Sequence, residues 1–229
     1  MNLEKNSAKK AKQHTVYKNK DDVRVPGTTT ITGVMDKPAL VGWANKIGLE
    51  GIKVREYVDD LAAIGTLAHY MIECHINSLI QKAEILPDLS DSTPNQISSA
   101  ENSFLKFLDW EGKNKVEYFA SELQLVSEKH QYGGTIDILA KVNDKNTLID
   151  IKTCKGIYND HHTQVGGGYA LLLEEAGYDL HDVRIIRVGR SEEEGTEAED
   201  IQVPKLEAHK KRFLICRELY EINKIVNKK

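Results

Sequence analysis

Asp137, Asp150 and Lys152 are the residues of this chain best spaced to do chemistry. The stretch from Gly133 to Lys152, GGTIDILAKVNDKNTLIDIK, predicts two strands, with Asp137 on the first and Asp150 and Lys152 two residues apart on the second. Residues i and i+2 of a strand project from the same side of a sheet, so Ile149 and Ile151 turn into a core while Asp150 and Lys152 turn together toward a cleft. Two carboxylates that converge on a hard divalent cation, with an ammonium beside them, suit the cutting of phosphodiesters. Taken singly, Asp137 also reads as a strand-end turn residue, and Asp150–Lys152 as a surface ion pair contributing little stability. Two strands presenting carboxylates together with a lysine are harder to dismiss.

The elements that must position these groups follow from periodicity and punctuation. Residues 1–24 read as a flexible basic arm with little to bury. VPGTTTITGVM reads as an extended segment entered through Pro26-Gly27, and PALVGWANKIGL as a helix opened by Pro38 and ended at Gly48. A second helix is expected over about 52–63. A third, over about 66–83, carries Leu67, Met71, Cys74, Ile76 and Ile80 near helical period. A further helix spans about 96–110. VEYFASELQLVS, TIDILAKV and TLIDIKT are then strand-like, YALLLEEAG is a helix ended by Gly177, VRIIRVGR and EDIQVP are two more strands, and 205–225 is a closing helix. Phe213, Leu214, Ile215, Leu219 and Ile222 are available for its packing, and Trp43 and Trp110 read as core. This order predicts an α/β protein: one domain over 25–229, with a helical part at 37–113 and a catalytic part at 114–229.

Composition bounds the function. The length suffices for a substantial core, and no apolar run is long enough to span a bilayer, so no membrane partner is expected. Cys74, Cys154 and Cys216 are far apart and lack C-x-x-C spacing, which argues against disulfides or a structural zinc and fits a reducing, cytoplasmic setting. His161-His162 with Cys154 nearby matches no common zinc spacing. The net charge of −4 hides basic ends: Lys5, Lys9, Lys10, Lys12, Lys18, Lys20 and Arg24 at one, Lys205 to Lys229 at the other. Basic segments supply phosphate contacts, although terminal lysines also serve simply as a solubilising tail. The acidic run SEEEGTEAED, Ser191 to Asp200, reads most simply as a solvated hairpin loop. No P-loop or dinucleotide fingerprint is present.

Gly134-Thr-Ile-Asp137, then Asp150-Ile-Lys152-Thr153, then a Gln and a Tyr at a helix start, together resemble the PD-(D/E)XK nuclease superfamily. The likeness is nearest to its RecB-like exonuclease branch, phage-type members included. Gly65-Thr-Leu-Ala-His69-Tyr-Met-Ile-Glu73 fits that branch's upstream G-x-x-x-H segment, and VPGTTTITGVMDKPALVGWA its opening. The resemblance implies a restriction-endonuclease-like central mixed sheet flanked by helices. It also implies Mg²⁺ or Mn²⁺, one or two ions, held by His69, Asp137, Asp150 and the Ile151 carbonyl. Lys152 would orient or deprotonate the attacking water, and Glu122 would be a further acidic group near the metal. The implied activity is divalent-metal-dependent DNA hydrolysis, an exonuclease of phage recombination, replication or DNA processing in the host cytoplasm. DNA is the implied partner, with a phage single-strand annealing or recombination protein as a second. A nicking or structure-specific endonuclease, an RNA-processing nuclease and a non-catalytic DNA-binding accessory remain as alternatives. One spacing departs from the pattern: Gln164 and Tyr169 are five residues apart rather than four. On an α-helix, that offset separates the two side chains. Either a π-bulge returns them to one face, or Gln164 lies in the loop before the helix.

Overall fold

A computed structural model describes residues 15–227; Lys5, Lys9, Lys10 and Lys12 of the expected arm, and Lys228 and Lys229, fall outside them. The centre is a five-stranded sheet of β3 (Val116–Ser127), β4 (Tyr132–Val142), β5 (Lys145–Lys152), β6 (Asp182–Arg187) and β7 (Glu199–Gln202), after a two-stranded hairpin of β1 (Tyr17–Lys18) and β2 (Arg24–Val25). The five strands lie in sequence order. Neighbours pair antiparallel except β5 with β6, which are parallel. A parallel pair needs a crossover. It is supplied by α5 (Asn159–Thr163), a π-helical turn (Gln164–Tyr169) and α6 (Ala170–Glu175). The protein is therefore α/β, with a mixed sheet flanked by helices.

Helices cover both faces, which is why β4 and β5 are buried along most of their length. On one face Ile138, Ala140, Ile149, Ile151 and Ile186 pack against Ile72 and Ile76 of α3 (Val54–Gln81) and Phe107 and Trp110 of α4 (Pro94–Gly112). On the other, Leu139, Leu148, Val183 and Ile185 meet Val165, Leu172, Leu173, Ile31 of α1 (Thr28–Thr32) and Phe213 of α7 (Leu206–Val226). A third cluster, including Leu67, Ala68, Met71, Cys74 and Ala100, joins α3 to α4. Thr93 opens α4 with a capping box: its hydroxyl accepts from the Gln96 amide, while Gln96 reaches back to the Thr93 N–H.

Several expectations need correction. The helices expected over 52–63 and 66–83 are one helix, because Ile64, Leu67, Ala68, Met71 and Ile72 continue the buried stripe across Gly65. A mid-helix glycine is unfavourable by only about 1 kcal/mol. Gly65 is also needed there, since a Cβ at that position would lie 2.9 Å from Thr153 Oγ1 at the end of β5. Thr28–Thr32, expected extended, is helical, with Thr28, Ile31 and Thr32 buried and the Thr32 hydroxyl donating to the Thr28 and Thr29 carbonyls. The helix Pro38–Leu49 (α2) runs past Gly48 to a left-handed Gly51, φ +78°. It buries no residue, so Trp43 is not core and instead tilts against Tyr57. Trp110 is core. Ile80, Ile215, Leu219 and Ile222 are exposed, because no element covers their helix faces.

Two surface readings also change. Residues 15–24 belong to the domain: Tyr17 lies against Gly133, Asn19 donates to Gln131, and the Lys20 amide donates to Glu128. The acidic run is pinned rather than freely solvated. Arg190 holds Glu194, Arg187 holds Glu199, and Asp200 accepts from Trp110 and Arg184. The buried Lys106 ammonium donates to the carbonyls of Gly189 and Ser191, where that run begins. No helix among the described residues is long and apolar enough to cross a membrane.

Candidate metal and catalytic site

The site forms where the central strands part. The β4–β5 ladder ends at Ile138–Ile149. One rung further, Asp137 would face Asp150; instead Asp137 Oδ2 accepts the Ile151 N–H at 2.7 Å, standing in for a ladder carbonyl. On the other side, the β3–β4 register runs through Ser121–Ile138 and Leu123–Ile136, which sets Glu122 opposite Asp137. Glu122 sits in the left-handed region at φ +51°. A non-glycine residue held there is strained, and such strain tends to be kept where it aims a side chain. Three neighbouring strands thus bring Glu122, Asp137 and Asp150 to one place.

Helix α3 brings His69 to this place. The contact of Gly65 with Thr153 seats the helix against the end of β5, and His69 follows one turn later. His69 Nδ1 is 3.5 Å from Asp137 Oδ2. Ligand atoms of His69, Glu122 and Asp137 all lie within 4.8 Å of one another, which is compatible with a shared cation. Asp150 stands beside this trio: its side chain is 1% exposed, and its Oδ2 lies 2.5 Å from Lys152 Nζ. That contact pairs the buried carboxylate directly with the ammonium. The surface-pair reading of Asp150–Lys152 therefore fails, since Asp150 is buried.

The electrostatics are unbalanced in a way that suits a cation. Burial pushes the Glu122 carboxyl up to about 9, reinforced by Asp137, Glu73 and Asp150. Burial also raises Asp137 and Asp150, against the opposing pull of Lys152. Glu73, one turn after His69, is raised by burial too. Burial lowers His69 to about 4, with the Lys152 charge adding to it, so the imidazole is neutral at pH 7 and has a lone pair to offer. Burial alone would lower Lys152; Asp150 and Asp137 outweigh it and keep the ammonium charged. Four acidic groups against one fixed positive charge, with a neutral imidazole beside them, together fit a hard or borderline divalent ion. His69, Glu122 and Asp137 would hold it, with Asp150 paired to Lys152 alongside.

The crossover settles the spacing that departed from the family pattern. Residues Gln164–Tyr169 form a π-helical turn, whose i→i+5 closure returns residues five apart to one face. Gln164 Nε2 donates to Tyr169 Oη at 2.7 Å. Burial raises the Tyr169 phenol well above its usual range, helped by the Asp150 and Asp137 charges, so it stays a neutral hydroxyl beside the carboxylates. The three glycines within the turn serve close packing. A Cβ on Gly167 would lie 2.6 Å from the His209 carbonyl oxygen of α7, and one on Gly168 would lie 2.3 Å from Thr28 Cγ2. His161 is close enough to feel the Lys152 charge, whereas His162 packs edge-on to His209 of α7.

A groove of about 580 Å³ is lined by Glu122, Asp137 and Tyr169 together with Arg24, Tyr220 and Lys224. Sequence reasoning did not single out Tyr17, Thr29, Thr30 or Tyr220 of its lining. Their only shared signal is position in space, because β1, α1 and the end of α7 are distant in sequence.

No family model matches the chain, and no curated protein matches it. A solved structure described as "Crystal structure of SSO0001" aligns over 72% of this chain and 74% of its own, at 15% identity and a TM-score of 0.36, too loose a likeness to bear on function.

Proposed function

We propose that this protein is a divalent-metal-dependent nuclease of the PD-(D/E)XK type, with a restriction-endonuclease-like arrangement of its sheet and a RecB-like exonuclease character. The observation that carries this reading is the convergence of Glu122, Asp137 and Asp150 from three adjacent strands on His69 of α3, with Lys152 alongside. A bound Mg²⁺ or Mn²⁺ supplies acidification of water and polarisation of the scissile phosphoryl group. His69, Glu122 and Asp137 bind that ion, and the Ile151 N–H fixes the Asp137 carboxylate in place. Lys152, kept charged by Asp150, orients the attacking water and offsets charge that builds on the phosphate. Tyr169, braced by Gln164, offers a neutral hydroxyl donor to a phosphate oxygen. DNA is the substrate this reading implies, in recombination, replication or processing, with a single-strand annealing or recombination protein as a working partner.

The test is incubation of purified protein with end-labelled linear and circular DNA in Mn²⁺, Mg²⁺ or EDTA. Cleavage should require the metal and vanish in Asp150→Asn and Lys152→Ala, each of which should still fold. Restriction of cutting to linear DNA supports the exonuclease form, and cutting of circles the endonuclease form. Full turnover in either variant, or in EDTA, would remove the assignment.

A further inference from the structure

The groove beside the carboxylates has chemistry of its own. Its lining joins Glu122, Asp137 and Tyr169 of the candidate metal site with Arg24, Tyr220 and Lys224. Arg24 is exposed and has no carboxylate partner within ion-pair distance among the described residues. Lys224 is half-exposed and shares only the surface carboxylate of Glu221. The Tyr220 ring has two cations nearby, with Arg217 Cζ at 5.9 Å and Lys224 Nζ at 5.5 Å from its centroid. Arg217 also donates to the carbonyls of His130 and Gln131 in the β3–β4 turn, which fixes the end of α7 over the sheet.

This combination is that of a single-strand platform: backbone phosphates neutralised by cations, and an aromatic face on which any base can stack. The groove's volume is that of a small-molecule site and accommodates a short length of one strand. Resting on the nuclease reading above, we propose that the groove holds unpaired polynucleotide leading to the scissile bond, with Tyr220 stacking a base and Arg24 and Lys224 each contacting a phosphate. The substrate is then a single strand or a frayed end, and β1, β2 and α7 form its track.

Binding and cutting test this separately. Fluorescent single-stranded DNA, single-stranded RNA and blunt duplex of equal length are titrated by anisotropy in Ca²⁺, with gels confirming intact oligonucleotide. Single strands should bind more tightly than duplex, the DNA and RNA arms showing which sugar the groove accepts. Tyr220→Leu should weaken single-strand binding by roughly 5- to 150-fold, and Tyr220→Phe should restore it. Arg24→Gln and Lys224→Gln should each lower the slope of log affinity against log salt by about 0.7, a change that a purely structural role would not produce. All variants should bind Mn²⁺ like the wild type, since none removes a proposed ligand. Duplex bound as tightly as single strand, or variants binding single strand with unchanged affinity and salt slope, would overturn the proposal. Absence of Mn²⁺-dependent cleavage with the groove effects intact would instead remove the nuclease reading and leave the groove as a single-strand binding site.

Discussion

Replacing Glu122 by glutamine removes a buried charge while keeping the side chain's shape, and its effect on stability should depend on pH in a defined way. In the metal-free fold this carboxyl titrates at about 9, raised by burial and then by Asp137, Glu73 and Asp150, against 4.5 in the unconstrained chain. Because the folded value lies above the unfolded one, the fold binds the extra proton. The associated stability is fully present below pH 4.5 and drains away as pH rises toward 9. At pH 7 the gap from 4.5 is about 2.5 pH units, which at 1.36 kcal/mol each comes to about 3 kcal/mol lost from the wild type. Glu122→Gln lacks that titration. In EDTA it should match the wild type near pH 4.5 and exceed it by about 3 kcal/mol at pH 7. Urea unfolding at several pH values reads this directly. A Mn²⁺ titration adds a second readout: at pH 7 the wild type should release about one proton per ion as Glu122 ionises, measured by calorimetry in buffers of different ionisation enthalpy. The variant should bind the ion more weakly and release fewer protons. Parallel stability curves for the two proteins, together with equal proton release, would refute the placement of Glu122 among the site's carboxylates.

Three further outcomes follow from the same geometry. Mn²⁺ at 100 times its dissociation constant should stabilise the wild type by about 2.7 kcal/mol, and His69→Ala should lose most of that gain in a thermal melt. Gly168→Ala drives a Cβ into Thr28 and the Phe213 ring, and should destabilise the fold by about 1–3 kcal/mol in urea titrations while shifting Tyr169 and reducing activity. Lys106→Met removes the charged donor to the Gly189 and Ser191 carbonyls, leaving them Ser103 Oγ and the Glu194 N–H; a loss of about 1.5–3 kcal/mol, with faster amide exchange over 189–200, is expected.

The chemistry-bearing strands were legible because their information is local. β3 begins and ends where VEYFASELQLVS does, and Asp150 with Lys152 between buried isoleucines is a period-2 pattern that needs no partner to be seen. The site itself was only partly legible. Asp137, Asp150, Lys152 and His69 were named from spacing and resemblance, yet the close trio substitutes Glu122 for Asp150. That exchange depends on where the β4–β5 ladder stops and on a left-handed residue in β3, neither of which leaves a mark in composition.

What the sequence determined by itself was an α/β chain with paired acidic strands, a histidine helix ahead of them and a Gln–Tyr pair after them. Helical and strand periods, and the punctuation of Pro and Gly, are properties of a few consecutive residues. The tertiary structure decided the rest. It chose the π turn that reunites Gln164 with Tyr169, because the glycines between them must let α7 and Thr28 approach. It fused two expected helices through Gly65, pinned the acidic run to Lys106 and Trp110 of α4, and closed a groove from β2, α1 and the end of α7. Each of these rests on contacts between residues far apart in the chain, whose distances are set by packing and not by spacing.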